Sequence, residues 1–122
     1  MVPTKLLEHL RSICLSLPEV TEALKWGHPT FLAGKKMFAV LDTYEGEPCI
    51  AFRVPPERWD ALLEDDRFYP APYAARHGWV CMRAGGRIDW RDVEGLLQES
   101  YRLVALKRML AALDADETWR GR

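Results

Sequence analysis

The sequence predicts an α+β fold, a two-layer sandwich in which helices cover one face of an antiparallel sheet. Three observations point there. Helix-period stretches open and close the chain, and short apolar segments of period-2 character fill its middle. Turn-forming residues separate those segments by only a few positions, and connections that short join antiparallel strands. Helices placed before, between and after such strands pack on one side of the sheet.

Thr4 can cap a first helix running to about Leu17, where Pro18 follows, with Leu6, Leu10, Ile13, Cys14 and Leu17 as its apolar stripe. The segments "TEALKW", "PTFLA" and "KMFAVL" then read as short strands, divided by Trp26-Gly27-His28 and by the turn at Gly34-Lys35. "DTYEGEP" is a turn cluster. "CIAFRV" alternates, with Ile50, Phe52 and Val54 on one face and Cys49, Ala51 and Arg53 on the other.

"PPERWDALLEDD" reads as a second helix, with proline near its start and acids in its first turn. The proline-rich, aromatic stretch 67–78 predicts an irregular loop with at most one edge strand. "WVCMRA" is the next strand, closed by Gly85-Gly86. Asp89 caps a long final helix, "WRDVEGLLQESYRLVALKRML", whose stripe includes Val93, Leu97, Tyr101 and Val104. No repeat or linker divides the chain, so one domain is expected over residues 1–110, with 111–122 a helix extension or a frayed tail.

Composition narrows the function classes. At 122 residues, 48% apolar and 29% charged, the chain suits an ordinary globular domain. A formal net charge of −1 gives no global pull towards polyphosphates or anionic lipid. Cys14, Cys49 and Cys81 form no C-x-x-C motif and suit a reducing compartment. With no secretory run and no apolar stretch near the ~20 residues that span a bilayer, a cytoplasmic protein without membrane contact is expected.

Several catalytic plans find no support. No nucleophile elbow, dinucleotide fingerprint or P-loop occurs, and His9, His28 and His77 share no metal-binding spacing. Cys14 lies on an apolar helix stripe, which favours packing over chemistry. The acids at 64–66 read as a solvated rim. No catalytic residue, cofactor or metal is therefore expected.

Two clusters remain. In "WGHPTF", Gly27 permits a sharp turn and Pro29 holds His28 extended. Trp26 and Phe31 are then expected to pin this corner onto the core, leaving His28 as the residue a structural role does not explain. In "RHGWVCMR", Arg76 and His77 stand ahead of Trp79, and Arg83 follows on the same strand face. If the neighbouring strand carries Arg53 on that face, Arg53, Trp79 and Arg83 share one surface, with Lys35 and Lys36 at a nearby hairpin tip. Cations beside indole faces suit stacked bases, phosphates or an acidic partner; the alternative is that the arginines snorkel over the sheet while Trp79 covers it.

These clusters, with "LRSICLSLPEVTE", "KKMFAVL", "FRVPPE" and "ESYRLVALK", give residues 4 to 110 an order and spacing that resembles the MmcQ/YjbR family of small bacterial proteins. The resemblance implies an α-β(3)-α-β(2)-α order, akin to secretion-chaperone and double-wing folds, and carries a DNA-binding label that rests on shape. It implies no catalytic residues. Gly78 between His77 and Trp79, and a last helix lacking Lys-Leu-Pro, depart from the family pattern.

Three functions are thus expected to compete. The first is a non-enzymatic binding module, with DNA held in a weak, salt-dependent way by Lys35, Lys36, Arg53, Arg76, His77, Trp79 and Arg83. The second is a chaperone-like adaptor for a protein partner, monomeric or weakly dimeric. The third is a small-ligand binder, or an enzyme, with a pocket between residues 26–31 and 76–79, where Trp26 and His28 would face the ligand.

Overall fold

Alternation along Cys49–Arg53 sends Ile50 and Phe52 to one side of the sheet and Ala51 and Arg53 to the other, and the whole molecule is organised by that division. The computed structural model describes residues 4–115. Helix α1 (Thr4–Cys14) leads into strands β1 (Val20–Lys25), β2 (His28–Ala33), β3 (Lys36–Tyr44) and β4 (Glu47–Arg53). A single 3-10 turn, Pro56–Arg58, precedes α2 (Trp59–Leu63); β5 (Phe68–Pro70) and β6 (Trp79–Arg83) follow, then α3 (Trp90–Val104) and α4 (Lys107–Ala115).

The six strands lie in the order β1-β2-β3-β4-β6-β5 and every neighbouring pair is antiparallel. Two-residue turns join the first four. Trp26-Gly27 and Glu45-Gly46 both hold two successive positive φ values, 51° and 80°, then 52° and 81°, the turn geometry that matches strand twist. The short chain after β4 does not pair at once, so β6 slots between β4 and β5 and leaves β5 at the edge.

One sheet face packs against the helices. Phe31, Leu41, Ile50, Phe52 and Val80 meet Leu10, Leu97, Tyr101, Met109 and Leu113 in a single buried cluster, each such side chain contributing about 1.5–3 kcal/mol. Ser100 ties the layers together where the β3–β4 ladder ends. Its Oγ donates to the Phe38 carbonyl (2.7 Å) and accepts from the Arg53 N–H (2.9 Å). Tyr101 adds a hydrogen bond from its hydroxyl to the Pro18 carbonyl at 2.7 Å.

The α+β class, the antiparallel sheet and the single helix-covered face agree with the sequence reading. The details differ in four places. Four strands precede α2, as the residue pattern indicated, where the α-β(3)-α-β(2)-α order implied three; the tight turn at Trp26-Gly27 pairs Val20–Lys25 fully with β2. The second helix is cut to Trp59–Leu63 because Pro55 and Pro56 confine its start to a 3-10 turn. The first helix stops at Cys14, and residues up to Leu17 continue as hydrogen-bonded turns.

The long final helix divides in two at Ala105, whose φ −67° and ψ 148° are extended. Continuing the stripe Val93, Leu97, Tyr101 by helical steps would turn Lys107 and Arg108 towards the core. Breaking the helix there re-phases the chain, so that Met109 and Leu113 are buried instead. The tail expected as frayed falls, from residue 116 onward, outside the described residues.

Candidate functional site

The second face of the sheet is covered by no α-helix among the described residues, only by the segment that holds the 3-10 turn Ala75–His77, and is hollowed into a cavity of about 530 Å³, within the roughly 300–1,000 Å³ typical of small-ligand sites. Small side chains make the hollow. Thr30 on β2, Val40 on β3, Ala51 on β4 and Cys81 on β6 line its floor. The segment from Ala71 to Gly78 forms one wall, held by bonds from Ala71 N–H to the Trp79 carbonyl (3.1 Å) and from Val54 N–H to the Gly78 carbonyl (2.9 Å). Gly78 closes that wall with φ 85°, a left-handed conformation suited to glycine.

Two aromatic side chains stand at the cavity in conformations that bulky residues avoid. Trp26 has φ 51° and is 88% exposed; Tyr73 has φ 66° and is fully exposed. Left-handed backbone costs an ordinary residue roughly 1–2 kcal/mol. Neither ring recovers that cost by burial. Trp26 projects from the β1–β2 turn and Tyr73 from the segment after β5, so the rings reach the cavity from opposite edges of the sheet. The expectation that Trp26 pins the corner to the core is overturned: Phe31 is buried there, and Trp26, in the left-handed turn, is left exposed.

Polar groups are few and separated. His28 Nε2 lies 3.2 Å from Asp42 Oδ1 across the β2–β3 pair. The Arg53 guanidinium lies over the Trp79 ring, 5.4 Å from its centroid. Arg53 has no carboxylate in ion-pair range among the described residues, and its Nε is buried without an acceptor. On the floor, a hydrogen bond with the Cys81 thiol holds the Cys49 thiol below its ordinary range, against the effect of burial. The same bond, with burial, pushes Cys81 up; burial, then Cys49, pushes Tyr69 up. Cys14 lies in the helix-side core, where burial pushes its thiol up.

The structure brings together Trp26, His28, Arg53, His77 and Trp79 around this one cavity. Arg76 lines an adjoining cavity that Arg53 and His77 also reach. Lys35 and Lys36 stand apart, at the β2–β3 turn, where the neighbouring Gly34 approaches Met109 and Leu106 instead. The register puts this hairpin tip at the same end of the sheet as Arg53 and Trp79, but on β3, two strands away from β6, and neither lysine lines the cavity. Arg83 shares the face of Trp79 but is engaged, with its guanidinium 4.7 Å from the Tyr69 ring and its Nε donating to the Asp66 carbonyl at 3.2 Å. Sequence reasoning missed Tyr73, Lys25 and Asp42; nothing in "APYAA" signals a tyrosine held at positive φ.

Similarity to known proteins agrees with this architecture. The YjbR family model matches residues 15–103, well over half of the chain. Protein DR2400 from Deinococcus radiodurans, with domain DUF419, superposes with a TM-score of 0.69 at 26% identity, over 83% of this chain and 79% of its own. A Pseudomonas syringae protein shares the fold with a TM-score of 0.67 at 16% identity, over 84% of this chain and 98% of its own. The curated proteins contain no match. Family-model match and architecture agree: the chain belongs to the YjbR family.

Proposed function

We propose that this chain is a non-enzymatic binding module for unpaired nucleobases, with single-stranded DNA its first candidate ligand and the open-face cavity the seat of a base. The observation that carries this reading is the pair Trp26 and Tyr73, two solvent-facing rings on strained backbone at a preformed cavity. Strain kept at an exposed aromatic residue is understandable when the ring has a partner to meet. Base–aromatic stacking supplies about 1–3 kcal/mol per base and tolerates any sequence. The Arg53 guanidinium beside Trp79 supplies positive charge and has no carboxylate in ion-pair range among the described residues, while the cavity's Asp42 faces His28. Duplex DNA is the weaker candidate, because Lys35, Lys36 and Arg83 do not join this surface.

The small-ligand reading uses the same cavity, and ligand length separates the two. Tryptophan fluorescence titrations with oligothymidylate, a matched duplex and single nucleotides at two salt concentrations test the proposal. Binding of the single strand, stronger at low salt and weakened roughly 5- to 100-fold in Trp26→Ala or Tyr73→Ala, is expected. Absence of single-strand binding at low salt would overturn it.

A further inference from the structure

Arg53 and His77 each line two cavities. The second, about 620 Å³, lies beyond the Ala75–His77 turn, between Trp59 of α2 and Leu103 of α3. Arg53 and Arg76 both line it, and neither has a carboxylate in ion-pair range among the described residues. Arg11, Arg67 and Arg108, by contrast, are held by Glu22, Asp65 and Glu19. Arg83, Arg87 and Arg91 also lack such a partner among the described residues, but Arg53 and Arg76 are the two that line one cavity together. Asp60 is the one carboxylate lining the second cavity among the described residues, against the two arginines.

We propose that the second cavity is a phosphate subsite, so that a nucleotide lies with its base in the first cavity and its phosphate between Arg53 and Arg76. This rests on the base-binding reading. A guanidinium presents paired N–H donors that match phosphate oxygens, and charge-assisted bonds of this kind are about twice as strong as neutral ones. Arg53 belongs to both cavities, so one residue reads the junction of base and phosphate. Gly78 lines the second cavity beside the shared residue His77. The phosphate is the shared chemistry of two sources, a free nucleotide and a strand.

The test measures binding of thymidine, thymidine monophosphate and a four-residue oligothymidylate to the full chain and to Arg76→Gln. Arg76 is exposed, so the substitution leaves the core untouched. The parent is expected to bind the monophosphate at least tenfold tighter than the nucleoside, with an advantage that shrinks as salt rises. In Arg76→Gln that ratio falls towards one while nucleoside affinity stays within about twofold. An oligonucleotide tighter than the monophosphate identifies a strand as the source, and equal affinities identify a free nucleotide; both support the subsite. Equal binding of nucleoside and monophosphate by the parent, or a ratio unchanged by Arg76→Gln, overturns the subsite and leaves base binding standing. Failure of all three ligands overturns both.

Discussion

Arg53 and Trp79 are direct partners in the β4–β6 ladder, and the guanidinium lies 5.4 Å from the centroid of the indole ring. The arginine is anchored from beneath, its N–H donating to Ser100 Oγ at 2.9 Å, while its Nε is buried without an acceptor. A buried donor left unmatched costs about 1–3 kcal/mol. Arg53 is therefore poorly explained as a stabilising residue and well explained as one awaiting an acceptor. Arg53→Met, which keeps the aliphatic stem, is expected to leave stability within about 1 kcal/mol of the parent or to raise it. Ligand titration should show a loss of at least tenfold in affinity for the anionic ligand. Thermal unfolding of the same sample checks the first half; a fall in stability well beyond that range would assign Arg53 to the scaffold.

Trp26 occupies the first position of a two-residue turn where asparagine is favoured. Because its ring is 88% exposed, little packing is lost on replacement. Trp26→Asn is expected to stabilise the fold by about 1 kcal/mol in urea denaturation while weakening single-strand binding. A destabilised variant would mean that the indole supports the fold and would contradict a role in binding alone.

Ser100 is fully buried and holds two backbone groups at once, the Phe38 carbonyl at 2.7 Å and the Arg53 N–H at 2.9 Å. Ser100→Ala strands both, and a loss of about 2–4 kcal/mol is expected. Equilibrium denaturation measures it. A loss below 1 kcal/mol would show that water or a ladder bond takes over the role.

Alkaline pH should destabilise the protein through buried groups on the helix side. Burial, then Glu19, pushes Tyr101 up from its ordinary 10 to about 12, and burial pushes Cys14 above its ordinary 9. Below pH 9 both states keep these protons and the full stability is present. Above that, the unfolded chain loses protons the folded chain retains, so stability falls as pH rises, with the Tyr101 share lost between 10 and about 12. Tyr101→Phe lacks that share, and its stability should decline less steeply over that interval than the parent's, although it starts lower for want of the bond to Pro18. Parallel pH–stability curves would contradict the assignment.

Much of the fold was legible because it depends on local period. Ile50, Phe52, Val80 and Met82 alternate inward as their sequence spacing requires. The break at Ala105 was not legible as a helix end, since no glycine or proline marks it; only the position of Met109 against Gly34 in the fold gives the reason. The site was partly legible. "WGHPTF" and "RHGW" drew attention by their aromatic and cationic residues, and both line the cavity. The exposure of Trp26 and the conformation of Tyr73 were not, because a left-handed backbone at a bulky residue contradicts the propensities a sequence is read by. Lys35 and Lys36 share the Trp79 end of the sheet but stand two strands away from it, a lateral offset that follows from the strand order and that short segments alone do not fix.

The most direct test maps oligothymidylate binding onto the protein by two-dimensional NMR, with the indole N–H resonances of Trp26, Trp79 and Trp90 assigned. Perturbations are predicted at Trp26, Tyr73, Arg53 and Trp79, with Trp90, which stacks on His9 in another part of the molecule, unmoved. Perturbations confined to Lys35, Lys36 and their surroundings, or none at millimolar ligand and low salt, would contradict the claim that the open-face cavity is where this protein binds.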